Sequence, residues 1–117
     1  MAVIRIKDLN VRAIIGTHAW ERKNRQDLII NITIEYNASK AGRSDALKDA
    51  LNYEAIAGQA VKIVQNSRYL LLEKLAARLL AGIMADKKVQ EATVQLDKPH
   101  ALPQAKCVSF ELSSRRE

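Results

Sequence analysis

Cysteine is nearly absent from this chain: Cys107 is the only one among 117 residues, so no internal disulfide can form and stability has to come from a packed core. No stretch approaches the about 18 uncharged apolar residues that a membrane-spanning helix needs. The opening MAVIRIKDLN alternates charged with apolar side chains and lacks the basic, apolar and small-residue regions of a signal peptide. These absences lead us to expect a cytoplasmic protein. Glycine is scarce too, and its four residues are too dispersed to build a phosphate-cradling loop. The two histidines, His18 and His100, stand outside any H-x-H, H-x3-H or paired-cysteine arrangement, which argues against a zinc site. Serine and cysteine lack the neighbours that activate a nucleophile. We expect neither a metal nor an organic cofactor.

What is present suits one ordinary domain spanning residues 1–117, with 48% hydrophobic residues to supply its core. A formal charge of +6 invites a polyanion, either nucleic acid or a phosphorylated metabolite. The cations are scattered, however, and five aromatics offer few stacking platforms, so a non-catalytic nucleic-acid-binding module is the weaker reading.

Periodicity sets out the elements. VIRIKDLNVRAII alternates through Ile4 and Ile6, then through Leu9, Val11 and Ala13, and the change of parity near Asp8 predicts a bulged strand. LIINITIEY is the clearest strand, with Leu28, Ile30, Ile32 and Ile34 on one face. GTHAWERKNRQD between them reads as a polar loop, and NASKAGRSD as another. NYEAIAGQAVKIVQ predicts a helix capped by Asn52, and the run Leu72, Leu75, Ala76, Leu79, Leu80 and Ile83 predicts a second. ATVQL and CVSFELS close the chain as strands. The order β-β-α-α-β-β implies an α+β fold, an antiparallel sheet covered on one face by two helices. Its two long edges invite pairing with further copies, so a homo-oligomeric ring is expected.

Four residues stand out. Glu73 lies about 100° around the helix from Leu72, at the flank of the apolar stripe. It is either a first-turn carboxylate favoured by the helix dipole or an acceptor for a planar pair of N–H donors, such as a 2-amino-4-oxopyrimidine edge. Lys98, held extended before Pro99 at the end of a strand, is either a surface lysine or a general base in a partly dry pocket. Tyr53, at a helix start, reads as a staple onto the core, and Glu21, in the first loop, as a solvated carboxylate.

Taken together, G-x-H-x-W-E-x(4)-Q at Gly16 to Gln26, A-L-N-Y at Ala50 to Tyr53, L-L-E-K-L at Leu71 to Leu75 and D-K-P-H-A-L at Asp97 to Leu102 resemble the dihydroneopterin aldolase family. N-R-Q-D at Asn24 to Asp27, D-A-L-N-Y at Asp49 to Tyr53, L-L-E-K-L and D-K-x-H-A-L are most similar to the branch that epimerises dihydroneopterin triphosphate at C2′. The resemblance implies the tunnelling fold (T-fold), in which subunits join edge to edge as tetrameric rings that stack into octamers, with active sites between chains. It implies that Glu73 and the amide of Leu72 hold a pterin, with His100 beside it. Lys98 would then be the acid/base residue assisted by Glu21, while Leu51 and Tyr53 come from the neighbouring chain and Tyr53 aids proton transfer. Arg22, Lys23, Arg25 and His100 flank these candidate site residues in sequence, and so are the candidates to clasp a triphosphate.

Overall fold

The computed structural model describes residues 1–117. Strands β1 (Ala2–Ala13), β2 (Gln26–Tyr36), β3 (Val89–Lys98) and β4 (Val108–Arg115) form one antiparallel sheet in the order β1-β2-β3-β4. Between β1 and β2 lies a short helix α1 (Ala19–Lys23); between β2 and β3 lie α2 (Ser39–Ser44), a 3-10 turn (Leu47–Asp49), α3 (Tyr53–Asn66) and α4 (Leu72–Met84).

Register explains the alternation. Ile4 pairs with Ile34, Ile6 with Ile32, Leu9 with Ile30 and Val11 with Leu28, while on the other side of β2 Ile30 meets Leu96, Ile32 meets Val94 and Ile34 meets Ala92. These side chains line one face and are packed beneath the helices, where each buried Leu, Ile or Val contributes about 1.5–3 kcal/mol. The pairing shifts between Ile6 and Leu9, as the sequence predicts, and Asp8 occupies the bulge at φ +56°. Its amide donates to Asn31 Oδ1 at 2.9 Å. Without the extra residue Leu9 and Val11 would turn to the wrong face.

Helix α3 begins at Asn52, whose Oδ1 accepts from the Ala55 amide at 3.0 Å. Helix α4 buries Leu75, Ala76, Leu79, Leu80 and Ile83 against β3 and β4, and α3 packs on β1. The opposite sheet face is polar: Thr33 pairs with Thr93, Asn31 with Gln95, and Glu91 with Arg115. Both β1 and β4 leave an unpaired edge along a molecule 52 Å in its longest dimension.

The two segments read as loops differ from that expectation. Asn37 Oδ1 accepts from the Ser39 amide to start α2, and Asp45 at φ +54° stops it. Helices of six and five residues are too short to show a period of 3.6, so alternation in the sequence misses both.

Candidate active site

Gly16, at the end of the β1 segment, turns the chain at φ +124°, and α1 then folds back over the turn. This return carries Glu21 inward, so the carboxylate expected in solvent is only 4% exposed. Three donors hold it there. The His18 amide reaches Oε1 at 3.1 Å, while Gln26 Nε2 and Lys98 Nζ reach Oε2 at 3.0 and 2.6 Å. Gln26 also donates to the Ile15 carbonyl at 2.8 Å, which ties the first residue of β2 to the end of the β1 segment.

Lys98, the last residue of β3, is equally committed: its side chain is 11% exposed and its partner stands 77 positions earlier in the chain. It is not a freely solvated surface lysine. Burial raises the Glu21 pKa, but the hydrogen bonds from Lys98, Gln26 and His18 and the Lys98 charge outweigh it, bringing the pKa from 4.5 down to about 2. The unfolded chain therefore takes up this proton first. The contribution to stability is complete above pH 4.5 and is lost as pH falls towards 2, amounting to up to about 3 kcal/mol. Urea titrations between pH 7 and pH 2.5 should show this loss in the native chain and not in Glu21→Gln; parallel pH profiles would contradict it.

The ion pair faces a cavity of about 540 Å³ lined by His18, Trp20, Leu71, Leu72 and His100, among others. One wall is the opening of α4. Its N-cap, Leu71, offers no side-chain acceptor, in contrast to Asn52 at the head of α3. The amides of the first turn are thus left for another partner. Leu72 lines the cavity; Glu73 follows on the same turn, exposed and outside the lining.

Leu51 and Tyr53 lie elsewhere, on a separate hollow of about 380 Å³ with Leu47, Ala50, Asn52 and Glu54. Tyr53 is 54% exposed and staples nothing to the core, whereas the Leu51 side chain is buried in it. Eight large apolar side chains are exposed, and five of them (Trp20, Leu70, Leu71, Leu47 and Tyr53) line these two cavities. Apolar surface concentrated in this way marks contact with another molecule.

Two expected phosphate ligands are otherwise engaged. Arg22 donates to the carbonyls of Gly16, Tyr69 and Arg68, bracing the cavity wall from behind. Arg25 donates to the carbonyls of Arg12 and Gln65. Of the four residues expected to meet a triphosphate, only His100 lines the cavity, while Lys23 remains exposed on α1. Gln26 is the residue whose role the sequence leaves unstated; its position at the end of the G-x-H-x-W-E-x(4)-Q spacing is the available signal.

The family model of dihydroneopterin aldolase (FolB) matches residues 4–113. The chain belongs to the dihydroneopterin aldolase family. Within that family it is 44% identical over 115 residues to the dihydroneopterin triphosphate 2′-epimerase of Escherichia coli K12, covering 98% of this chain and 96% of the relative. The dihydroneopterin aldolase of the same organism is more distant, at 30% identity over 105 residues, 90% of this chain and 86% of the relative. The crystal structure of Escherichia coli dihydroneopterin aldolase in complex with neopterin superposes with a TM-score of 0.92 at 29% identity, over 97% of this chain and 99% of that one. That likeness identifies the sheet and helices as the T-fold. No helix is long and apolar enough to cross a membrane.

Proposed function

We propose that the chain is a cytoplasmic epimerase acting as one domain on 7,8-dihydroneopterin triphosphate, inverting C2′ of the side chain to give dihydromonapterin triphosphate. The observation that carries this reading is the Glu21–Lys98 pair, buried at 2.6 Å on a cavity that also receives the uncapped start of α4. The higher identity to the epimerase than to the aldolase supports the choice between the two activities. The neopterin bound by the Escherichia coli aldolase supports a pterin as the ligand.

In this reading Glu73 accepts two N–H bonds from the amino-bearing edge of the pterin, and the Leu72 amide donates to the adjacent acceptor. The two cavities belong to different halves of one site, joined when the sheets of neighbouring subunits meet edge to edge in a tetrameric ring, with two rings stacked as an octamer. Their exposed apolar linings support this arrangement. Tyr53 then reaches the ligand of the next subunit through its side chain, and Leu51, whose side chain is buried, does so through its main chain.

Chemistry follows from the ring. Lys98, once its ammonium has released a proton to solvent, removes the proton of the 2′-hydroxyl as the free amine; the C2′ carbonyl forms as the C1′–C2′ bond breaks, and the electron pair enters the N5=C6 imine to leave an enamine. If the retained aldehyde turns its other face, the enamine attacks it, the ammonium of Lys98 returns the proton to oxygen and C2′ is inverted. If the aldehyde escapes, C1′ is protonated, with Tyr53 and water as the route, and the outcome is that of an aldolase. Glu21 touches no substrate atom in this scheme and acts through the Lys98 Nζ that it hydrogen-bonds at 2.6 Å. It holds the Lys98 ammonium in place and balances its charge.

Incubating the protein with the triphosphate and, separately, with free dihydroneopterin, then resolving the products, tests the assignment. Dihydromonapterin triphosphate is expected to dominate from the first. A dominant 6-hydroxymethyl product from both substrates would make the chain an aldolase serving folate synthesis, the second reading. No turnover of either pterin, together with salt-sensitive DNA or RNA binding, would return the +6 charge to a nucleic-acid role.

A further inference from the structure

Two of the four cations assigned to a triphosphate by sequence proximity, Arg22 and Arg25, are spent on backbone carbonyls, yet the chain carries a basic concavity elsewhere. A cavity of about 610 Å³ is lined by Lys40, Arg43, Lys48, Lys87 and Lys88, with Asp49 as its sole carboxylate. Helix α2 supplies Lys40 and Arg43, the 3-10 turn supplies Lys48, and the turn into β3 supplies Lys87 and Lys88. Two of these charges are already engaged. Lys40 lies 3.5 Å from Asp49, which also accepts from Ser44 Oγ at 2.6 Å, and Lys88 Nζ donates to the carbonyls of Lys48 and Ala50 at 2.9 Å each. The side chains of the remaining three, Arg43, Lys48 and Lys87, form no ion pair and no hydrogen bond. Like charges collected in one hollow repel one another unless an anion joins them.

We infer that this cavity binds a linear polyphosphate, and that it receives the triphosphate of the substrate whose ring lies in the adjacent subunit's Lys98 cavity. The second half of the inference rests on the function proposed above. The connection is the 47–51 segment. Leu47, Ala50 and Leu51 line the hollow assigned to the neighbour's ligand, while Lys48 and Asp49, between them, line the basic cavity. Lys48 lies three residues from Leu51, within about 10 Å even for extended chain. By tying the Lys48 and Ala50 carbonyls, Lys88 holds the segment so that both cavities open from it. Arg43 can grip phosphate oxygens with two parallel N–H bonds, and the lysines act as point charges.

This placement bears on the choice of reaction. After C1′–C2′ cleavage the triphosphate remains on the aldehyde fragment, so a cation clasp on the tail retains the fragment that must recombine. Free dihydroneopterin has no tail to retain.

Calorimetric titration of the full-length protein with inorganic triphosphate and with orthophosphate, alongside kinetics on both pterins, tests the inference. The variant is Arg43→Ala/Lys48→Ala/Lys87→Ala. Triphosphate should bind the native chain at least about tenfold more tightly than orthophosphate, and its affinity should fall about tenfold or more in the variant and with added salt. The ratio of kcat/KM for dihydroneopterin triphosphate to that for dihydroneopterin should fall about 100-fold, and the share of 6-hydroxymethyl product from the triphosphate should rise. Equal triphosphate affinity in the two proteins overturns the site; a lost affinity with an unchanged kinetic ratio overturns its role toward the substrate. If neither pterin is turned over by the native chain, the proposed function fails, while the inorganic titration still decides whether the cavity binds polyphosphate.

Discussion

Lys98→Ala is expected to lower kcat on a dihydropterin by about 10² to 10⁴-fold, the range for loss of a positioned acid/base group, while a pterin still binds with a dissociation constant within about threefold of the native value. The split follows from where the residue stands. In the proposed scheme Lys98 acts at the side-chain end of the substrate, whereas ring recognition is assigned to the start of α4, and both line the same cavity. Removing the amine also leaves Glu21 buried at 4% exposure without its counter-charge, and breaking such a pair costs about 3–5 kcal/mol. A single variant could therefore lose activity by losing its fold. Lys98→Met combined with Glu21→Gln removes both charges, keeps the bulk, and leaves an amide oxygen to accept from the His18 amide while Gln26 keeps its bond to the Ile15 carbonyl. It should fold, bind a pterin in equilibrium fluorescence titration and remain inactive. Activity near the native level in either variant would remove Lys98 from the mechanism.

An equally large effect is expected from a single methyl group. Gly16 adopts φ +124°, where an L side chain is strained, and a Cβ built there runs into Cδ and both carboxylate oxygens of Glu21. Glu21 cannot yield. It is buried and held by three donors, so Gly16→Ala has to displace either the carboxylate or the turn. We expect a loss of about 2–4 kcal/mol of stability, from backbone strain plus a disrupted buried ion pair. A misplacement of about 1 Å at the amine is enough to lower kcat about 100-fold. Thermal melts and initial rates measure both. A variant as stable and active as the native chain would mean that the Gly16–Glu21 contact is dispensable.

The strands and long helices were legible because burial imposes a period on them. Ile30, Ile32 and Ile34 alternate because one sheet face is covered and the other is not, and Leu75, Leu79 and Ile83 recur because one side of α4 meets β3 and β4. Even the bulge at Asp8 was visible, since an extra residue reverses the parity of every apolar position after it. The site was legible only in part. Glu21 read as solvated because α1 is five residues long, too short for a period, and because its burial depends on a turn at Gly16 and on strands that meet later. Arg22 and Arg25 read as free cations because nothing local reveals that the carbonyls of Gly16, Arg68 and Gln65 would engage them.

By itself, then, the sequence determined the order of the strands and the two long helices, the buried face of each strand, the bulge, the cap at Asn52 and the family to which the motifs belong; each is written in neighbouring residues or in a short spacing. Tertiary structure decided which charges meet. Lys98 and Glu21 are 77 positions apart, and they form an ion pair only because the end of β3 is brought beside α1 by the intervening β2. The same holds for Arg43, Lys48 and Lys87, which α2, the 3-10 turn and the approach to β3 bring to one cavity. Electrostatic energy depends on distance through space, and a pattern along the chain carries that distance only after the chain has folded.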